Sequence, residues 1–104
     1  MAYEMLVGLQ IKNSELYQKY REAMSPILEK FGGGFGYDFL IQETLRSASP
    51  NPINRVFTIY FKDKESMNQF FSDPEYLKEK KQYFEVSVEA TTIISEYETH
   101  TKLS

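Results

Sequence analysis

The sequence predicts one α+β domain with the element order β-α-β-β-α-β. Three observations carry this. Four stretches alternate or run apolar at the period of a strand, two stretches repeat apolar residues at spacings of three and four, and each helical stretch lies between two strands. At 104 residues the chain has room for one such domain, expected over 1–104 with a polar tail from 99 to 104.

The first strand is expected over Tyr3 to Lys12, with Tyr3, Met5, Val7, Leu9 and Ile11 on one face and Glu4, Leu6, Gly8, Gln10 and Lys12 on the other. Asn13 or Ser14 offers a helix cap, and Glu15 suits the positive end of the helix that follows. Leu16, Tyr17, Tyr20, Met24, Ile27, Leu28 and Phe31 form its apolar stripe. Gln18, Lys19, Arg21, Glu22, Glu29 and Lys30 are assigned to the opposite, charged side. Pro26 removes one backbone bond late in this helix, and Gly32, Gly33 and Gly34 end it, one of them in the left-handed conformation. A phosphate-cradling role for the glycines is disfavoured, because they follow a helix where such loops precede one.

The second strand is expected over Phe35 to Leu45, with Phe35, Tyr37, Phe39, Ile41 and Glu43 sharing a face. Ser47 to Pro52 is a surface loop by its turn residues, and Asn54 to Lys62 is the third strand. Asp63 caps a second helix bearing Met67, Phe70 and Phe71, and Asp73-Pro74 restarts helical structure through Tyr76, Leu77, Lys80, Tyr83 and Phe84. Thr91 to Glu98 is the last strand.

Two helices that each link a pair of strands by a crossover define a ferredoxin-like arrangement, with both helices on one face of an antiparallel sheet. The other face should then be polar if it meets water. Instead it reads Leu6, Gly8, Leu40, Val56, Thr58, Tyr60 and Ile94, so a homodimer closed through this sheet face is expected. Eight Phe and eight Tyr in so short a chain point the same way, because that much aromatic area needs an interface or a ligand cavity. A domain of this size hides only roughly 60–65% of its unfolded surface on its own.

Tyr17 to Arg21, Pro26 to Gly33, Arg55 to Phe61 and Phe70-Phe71-Ser72-Asp73-Pro74-Glu75-Tyr76 together resemble the family known as domain of unknown function 1330. The resemblance implies membership of the dimeric α/β-barrel superfamily, whose members pair two ferredoxin-like sheets face to face. Many family members carry an arginine in the last helix before the final strand. This chain has Gln82-Tyr83 there, so an anion-binding role attached to that arginine does not carry over. The family has no settled activity, and the resemblance informs fold more than function.

Several chemistries are disfavoured by the residues themselves. The absence of cysteine removes disulfides, thiolate catalysis and cysteine metal sites, and fits a cytoplasmic location. The lone histidine, His100, falls in the polar tail; no metal site and no cofactor are expected. No serine elbow is present. A net charge of -3 and no basic cluster argue against nucleic acid, including the RNA-recognition reading of an aromatic sheet, and no apolar run reaches the ~20 residues that span a membrane.

What remains is a pocket between helices and sheet. Tyr20, Met24, Tyr37, Phe39, Phe57 and Tyr83 are its expected lining, with Asp38, Glu43, Arg46 or Arg55 as polar contacts. Glu43 and Tyr20 are the candidate catalytic residues. Glu43 shares strand parity with Phe39 and Ile41, and a desolvated carboxylate there would have a raised pKa suited to proton transfer. The plainer expectations are that Glu43 reaches solvent or pairs with Arg55, and that Tyr20 is a packed aromatic. Arg21 suits a carboxylate ligand but is placed on the charged surface by its assigned side. The functional expectation is a homodimer that binds a small organic molecule. The alternatives are a cofactor-independent monooxygenase or isomerase of a small aromatic or lactone substrate, or a structural or regulatory dimer with a filled core.

Overall fold

The computed structural model describes residues 2–99. His100 and the rest of the expected tail lie outside the described residues, whereas Thr99 ends the last strand and pairs with Ala2. Strands β1 (Ala2–Ile11), β2 (Gly34–Leu40), β3 (Arg55–Phe61) and β4 (Val88–Thr99) form one antiparallel sheet in the order β2-β3-β1-β4. Helix α1 (Ser14–Lys30) links β1 to β2 across β3. A second helical run, α2 (Lys64–Ser72), α3 (Pro74–Glu79), a π turn (Lys80–Phe84) and the single turn α4 (Glu85–Ser87), links β3 to β4 across β1.

Local chemistry sets the helix ends. Asn13, Asp63 and Asp73 each accept a hydrogen bond from the backbone N–H three residues on, and so cap α1, α2 and α3. At the far end of α1 the Gly32 N–H bonds Glu29 O and the Gly33 N–H bonds Leu28 O, with Gly32 at φ 73°. That is a Schellman close, and its positive φ explains a glycine there. Helix α1 runs through Pro26 without a break; Pro26 and Glu22, whose carbonyl loses its partner, are both exposed.

The core forms where Tyr17, Tyr20, Met24, Ile27 and Leu28 of α1 and Met67, Phe70 and Tyr76 meet the sheet residues Met5, Val7, Leu9, Phe57, Ile59 and Phe61. The expected parity of β1 and β3 is thereby met. Strand β2 departs from expectation in two ways. It ends at Leu40, and residues 41–54 are irregular, held by the Ile41 N–H to Asn54 O bond and by the Asn54 side chain, which pairs with both the N–H and the C=O of Ile11.

It also carries a bulge. Phe35 pairs with Ile59 and Asp38 with Phe57, so Gly36 and Tyr37 together face Thr58 alone. Thr58 Oγ1 accepts from the Tyr37 N–H at 2.8 Å, and a Cβ at position 36 would stand 2.6 Å from that oxygen, so glycine is required. The extra residue reverses parity downstream. Phe35 and Asp38 face the helices, while Tyr37 and Phe39, stacked at 5.8 Å, lie on the bare face. Leu40, expected on the bare face, shares the register of Arg55 and moves to the helix side. Ile94 is the unpaired residue of a second bulge, between the pairs Leu6–Ser95 and Val7–Ile93.

Candidate ligand-binding site

Between the helical layer and the sheet lies a cavity of about 250 Å³, walled by Met5, Val7, Leu9, Phe57 and Ile59 below and by Tyr17, Tyr20, Arg21, Met24, Tyr76, Lys80 and Phe84 above. Phe35 and Phe71 close its flanks, and Thr91 and Ile93 of the edge strand β4 border it. The volume is under the ~300–1,000 Å³ of drug-sized pockets, which sets the scale of what fits as compact.

Arg21 is the main polar feature. Four residues after Tyr17 and three before Met24, it falls on the buried stripe of α1 and is only 9% exposed. Its placement on the charged side is therefore corrected. The guanidinium lies over the rings of Phe35 at 3.9 Å and Phe57 at 4.7 Å, and Nε donates to the Tyr17 hydroxyl at 2.7 Å. Nη1 and Nη2 reach the Asp38 carboxylate at 3.2 and 3.4 Å. Arg55 reaches the same carboxylate more closely, Nε at 2.7 Å and Nη2 at 2.8 Å. Burial works to raise the Asp38 pKa, but the Arg55 hydrogen bonds and the two guanidinium charges outweigh it and hold the carboxyl below its ordinary value. The hydrogen bond to Asp38 likewise raises Arg55.

The second polar feature is a buried pair of hydroxyls, Tyr20 and Tyr76, 2.8 Å apart. Burial pushes Tyr20 well above the ordinary tyrosine value and Tyr76 up to about 12, so both are protonated at neutral pH. One hydrogen joins the two oxygens and the second is left to donate. Burial also raises Tyr17, more than the neighbouring Arg21 lowers it.

The structure brings together some of the expected site residues and separates others. Tyr20, Met24 and Phe57 line the cavity; Asp38 and Arg55 do not, and connect to it through the bond of Asp38 to Arg21. Tyr37 and Phe39 do not line it, because the bulge turns them to the other face of the sheet, where they are 65% and 51% exposed. Tyr83 does not line it either. The Glu85 N–H bonds Lys80 O five residues back, and this wider turn presents Phe84 to Tyr20, at 5.0 Å between ring centres, in place of Tyr83. Glu43 and Arg46 are exposed on the irregular segment beyond β2, so the burial on which the Glu43 expectation rested is missing, and Arg55 pairs with Asp38 and not with Glu43.

The bare face has its own buried polar contact. Glu4, only 8% exposed, accepts from the Tyr97 hydroxyl at 2.5 Å, and that bond pushes the Tyr97 pKa up to about 12. Ile53 folds back over Gly8, where a Cβ would meet its Cδ1 at 2.8 Å. Among the described residues no helix is long and apolar enough to cross a membrane.

Comparison with known proteins places this architecture. The family model described as domain of unknown function (DUF1330) matches residues 2–97, and the chain belongs to that family. A comparison with curated proteins finds no match. Among solved structures, the chain is similar to RPA0582, a protein of unknown function from Rhodopseudomonas palustris. The identity is 17%, the alignment covers 97% of this chain and 84% of that one, and the TM-score is 0.80. It is similar also to SnoaB, a cofactor-independent oxygenase from Streptomyces nogalater, at 10% identity over 98% and 96% of the two chains with a TM-score of 0.62. A dimeric protein of unknown function and ferredoxin-like fold from Bacteroides fragilis matches at 10% identity over 94% and 96%, with a TM-score of 0.54. At these identities the likeness shows the fold, which is ferredoxin-like.

Proposed function

We propose that this member of the family binds a compact, largely apolar organic molecule in the cavity between its helices and its sheet. The observation that carries the reading is the cavity itself. Some 250 Å³ remains among aromatic and aliphatic walls in a domain otherwise packed tightly enough that Phe61 and Phe70 are wholly buried, and a few fixed polar groups converge on it. A purely structural domain of this size gains nothing from such a space, since unfilled cavities cost stability. Native mass spectrometry of the purified chain, followed by denaturation and small-molecule analysis, tests this. A retained organic molecule that is released on unfolding supports the reading; a cavity that stays empty against a library of compact aromatic and alicyclic compounds contradicts it.

We further propose that the functional unit is a homodimer closed through the bare face of the sheet. Leu6, Val56 and Tyr60 lie there, part-covered, beside the stacked and exposed Tyr37 and Phe39, apolar area that water solvates poorly. The Bacteroides fragilis relative is described as dimeric, which agrees with this arrangement.

A catalytic reading rests on the likeness in fold to SnoaB. Among the described residues the cavity lining holds no carboxylate or histidine, and its tyrosines stay protonated, so any turnover would use a substrate reactive in its own right, steered by hydrogen-bond donors. SnoaB, a cofactor-independent oxygenase on this fold, is a precedent for such chemistry. Tyr20 then serves as a donor and not as a base, and Glu43 has no part. Oxygen uptake with a panel of electron-rich phenols and lactones separates binding from turnover.

A further inference from the structure

The charge and hydrogen-bond inventory of the cavity goes beyond its size, and we propose that the molecule it takes is a flat organic monoanion, such as an arylcarboxylate. Its acid group would meet Arg21, with Lys80 as the second cation of the lining, and its ring would lie against Phe57 and Phe84. The inference rests on the binding reading above and specifies its ligand.

Both charged side chains that line the cavity, Arg21 and Lys80, are cations. Arg21 has one carboxylate partner, Asp38, and shares it with Arg55, whose bonds at 2.7 and 2.8 Å are shorter than its own at 3.2 and 3.4 Å. One negative charge therefore answers two guanidinium groups, and the closer of the two takes more of it. Lys80 makes no ion pair among the described residues. The lining thus carries an excess of positive charge, in surroundings of low polarity where charge is felt strongly.

The hydrogen-bond count points the same way. A guanidinium has five N–H groups, and Arg21 commits one to Tyr17 and two to Asp38. Two are left. Tyr17 accepts from Arg21 and so keeps its own O–H to give, and the Tyr20–Tyr76 pair has one hydrogen more than it uses internally. The cavity is rich in donors and poor in acceptors, and a ligand made mostly of acceptors, with negative charge, is its complement. The Arg21 guanidinium is held in place by the ring of Phe35 at 3.9 Å and by its bonds to Tyr17 and Asp38, so its position is set before the ligand arrives.

Matched pairs of benzoic, cinnamic and phenylpropionic acids with their primary amides test the inference on the full chain by calorimetry and ligand-observed NMR. The acids are expected to bind about tenfold more tightly than the amides, a margin typical of a charge-assisted contact. Lys80→Met should lower acid affinity severalfold and more than it lowers amide affinity, and Arg21→Gln should abolish the preference. Lys80 makes no ion pair among the described residues, so its variant is expected to fold even if the Arg21 variant does not. Equal binding of acids and amides in the cavity overturns the anion inference and leaves the binding reading standing. Acid affinity that is unchanged in folded Lys80→Met and Arg21→Gln proteins also overturns it. If no acid and no amide enters the cavity, both readings fall.

Discussion

The two faces of this sheet are built from similar side chains and meet opposite fates. On the helix side Met5, Val7, Leu9, Phe57, Ile59 and Phe61 are covered by α1, α2 and α3, and the polar groups among them are bonded to one another. On the bare side Leu6, Val56 and Tyr60 are part-covered, and Tyr37 and Phe39 are left largely open. Hydrophobic composition alone therefore does not say where a surface ends up; the supply of covering elements does. One face has its cover within the chain, and the other is proposed to find it in a second copy.

The largest effect expected from this contrast is on stability. Phe61→Ala should cost ~3–5 kcal/mol in urea unfolding, as for a fully buried aromatic, whereas Phe39→Ala in dissociated chains should change stability by less than ~0.5 kcal/mol. Comparable losses would mean that the bare face is covered within the chain after all. Next comes assembly. Val56→Arg puts an unpaired charge at the centre of the proposed dimer contact and should weaken association by at least ~2 kcal/mol, about thirtyfold in Kd, by sedimentation. It should leave the helix-side cavity unchanged.

Smaller effects sharpen the account of the covered face. Tyr20→Phe strands the Tyr76 hydroxyl and should cost ~1–3 kcal/mol, while the double variant with Tyr76→Phe should cost less than the two single changes added, because no buried hydroxyl is then left without its partner. The smallest effect is on pH. The Asp38 carboxyl is held below its ordinary value of 3.8 in the folded chain, so its contribution is complete above that value and is lost as pH falls through the lower folded one. Asp38→Asn should flatten acid unfolding in that window, measured by circular dichroism at fixed urea.

Much of the fold was legible because local chemistry and periodicity agreed. The three caps, the glycine close of α1, the Pro74 restart and the parity of β1 and β3 all follow from the residues themselves. The site was less legible, for identifiable reasons. Arg21 stands at helical spacing from Tyr17 and Met24, and reading it by charge instead of position hid the central cation of the cavity. Gly36 inside an aromatic strand is itself a bulge signal. Without it, strict alternation put Tyr37 and Phe39 in the cavity, whereas the bulge turns both to the other face of the sheet. The π turn has no sequence signature of comparable strength, so the exchange of Tyr83 for Phe84 is visible only in three dimensions.

The central claim is that the covered face, and not the bare one, receives a small molecule. Methyl-resolved NMR reads both faces at once, with Met5, Met24 and Ile59 reporting on the cavity and Leu6 and Val56 on the other side. Titration with an arylcarboxylate should produce saturable shifts at the cavity methyls and leave Leu6 and Val56 still. Shifts confined to Leu6 and Val56, or none at saturating concentration, would contradict the account.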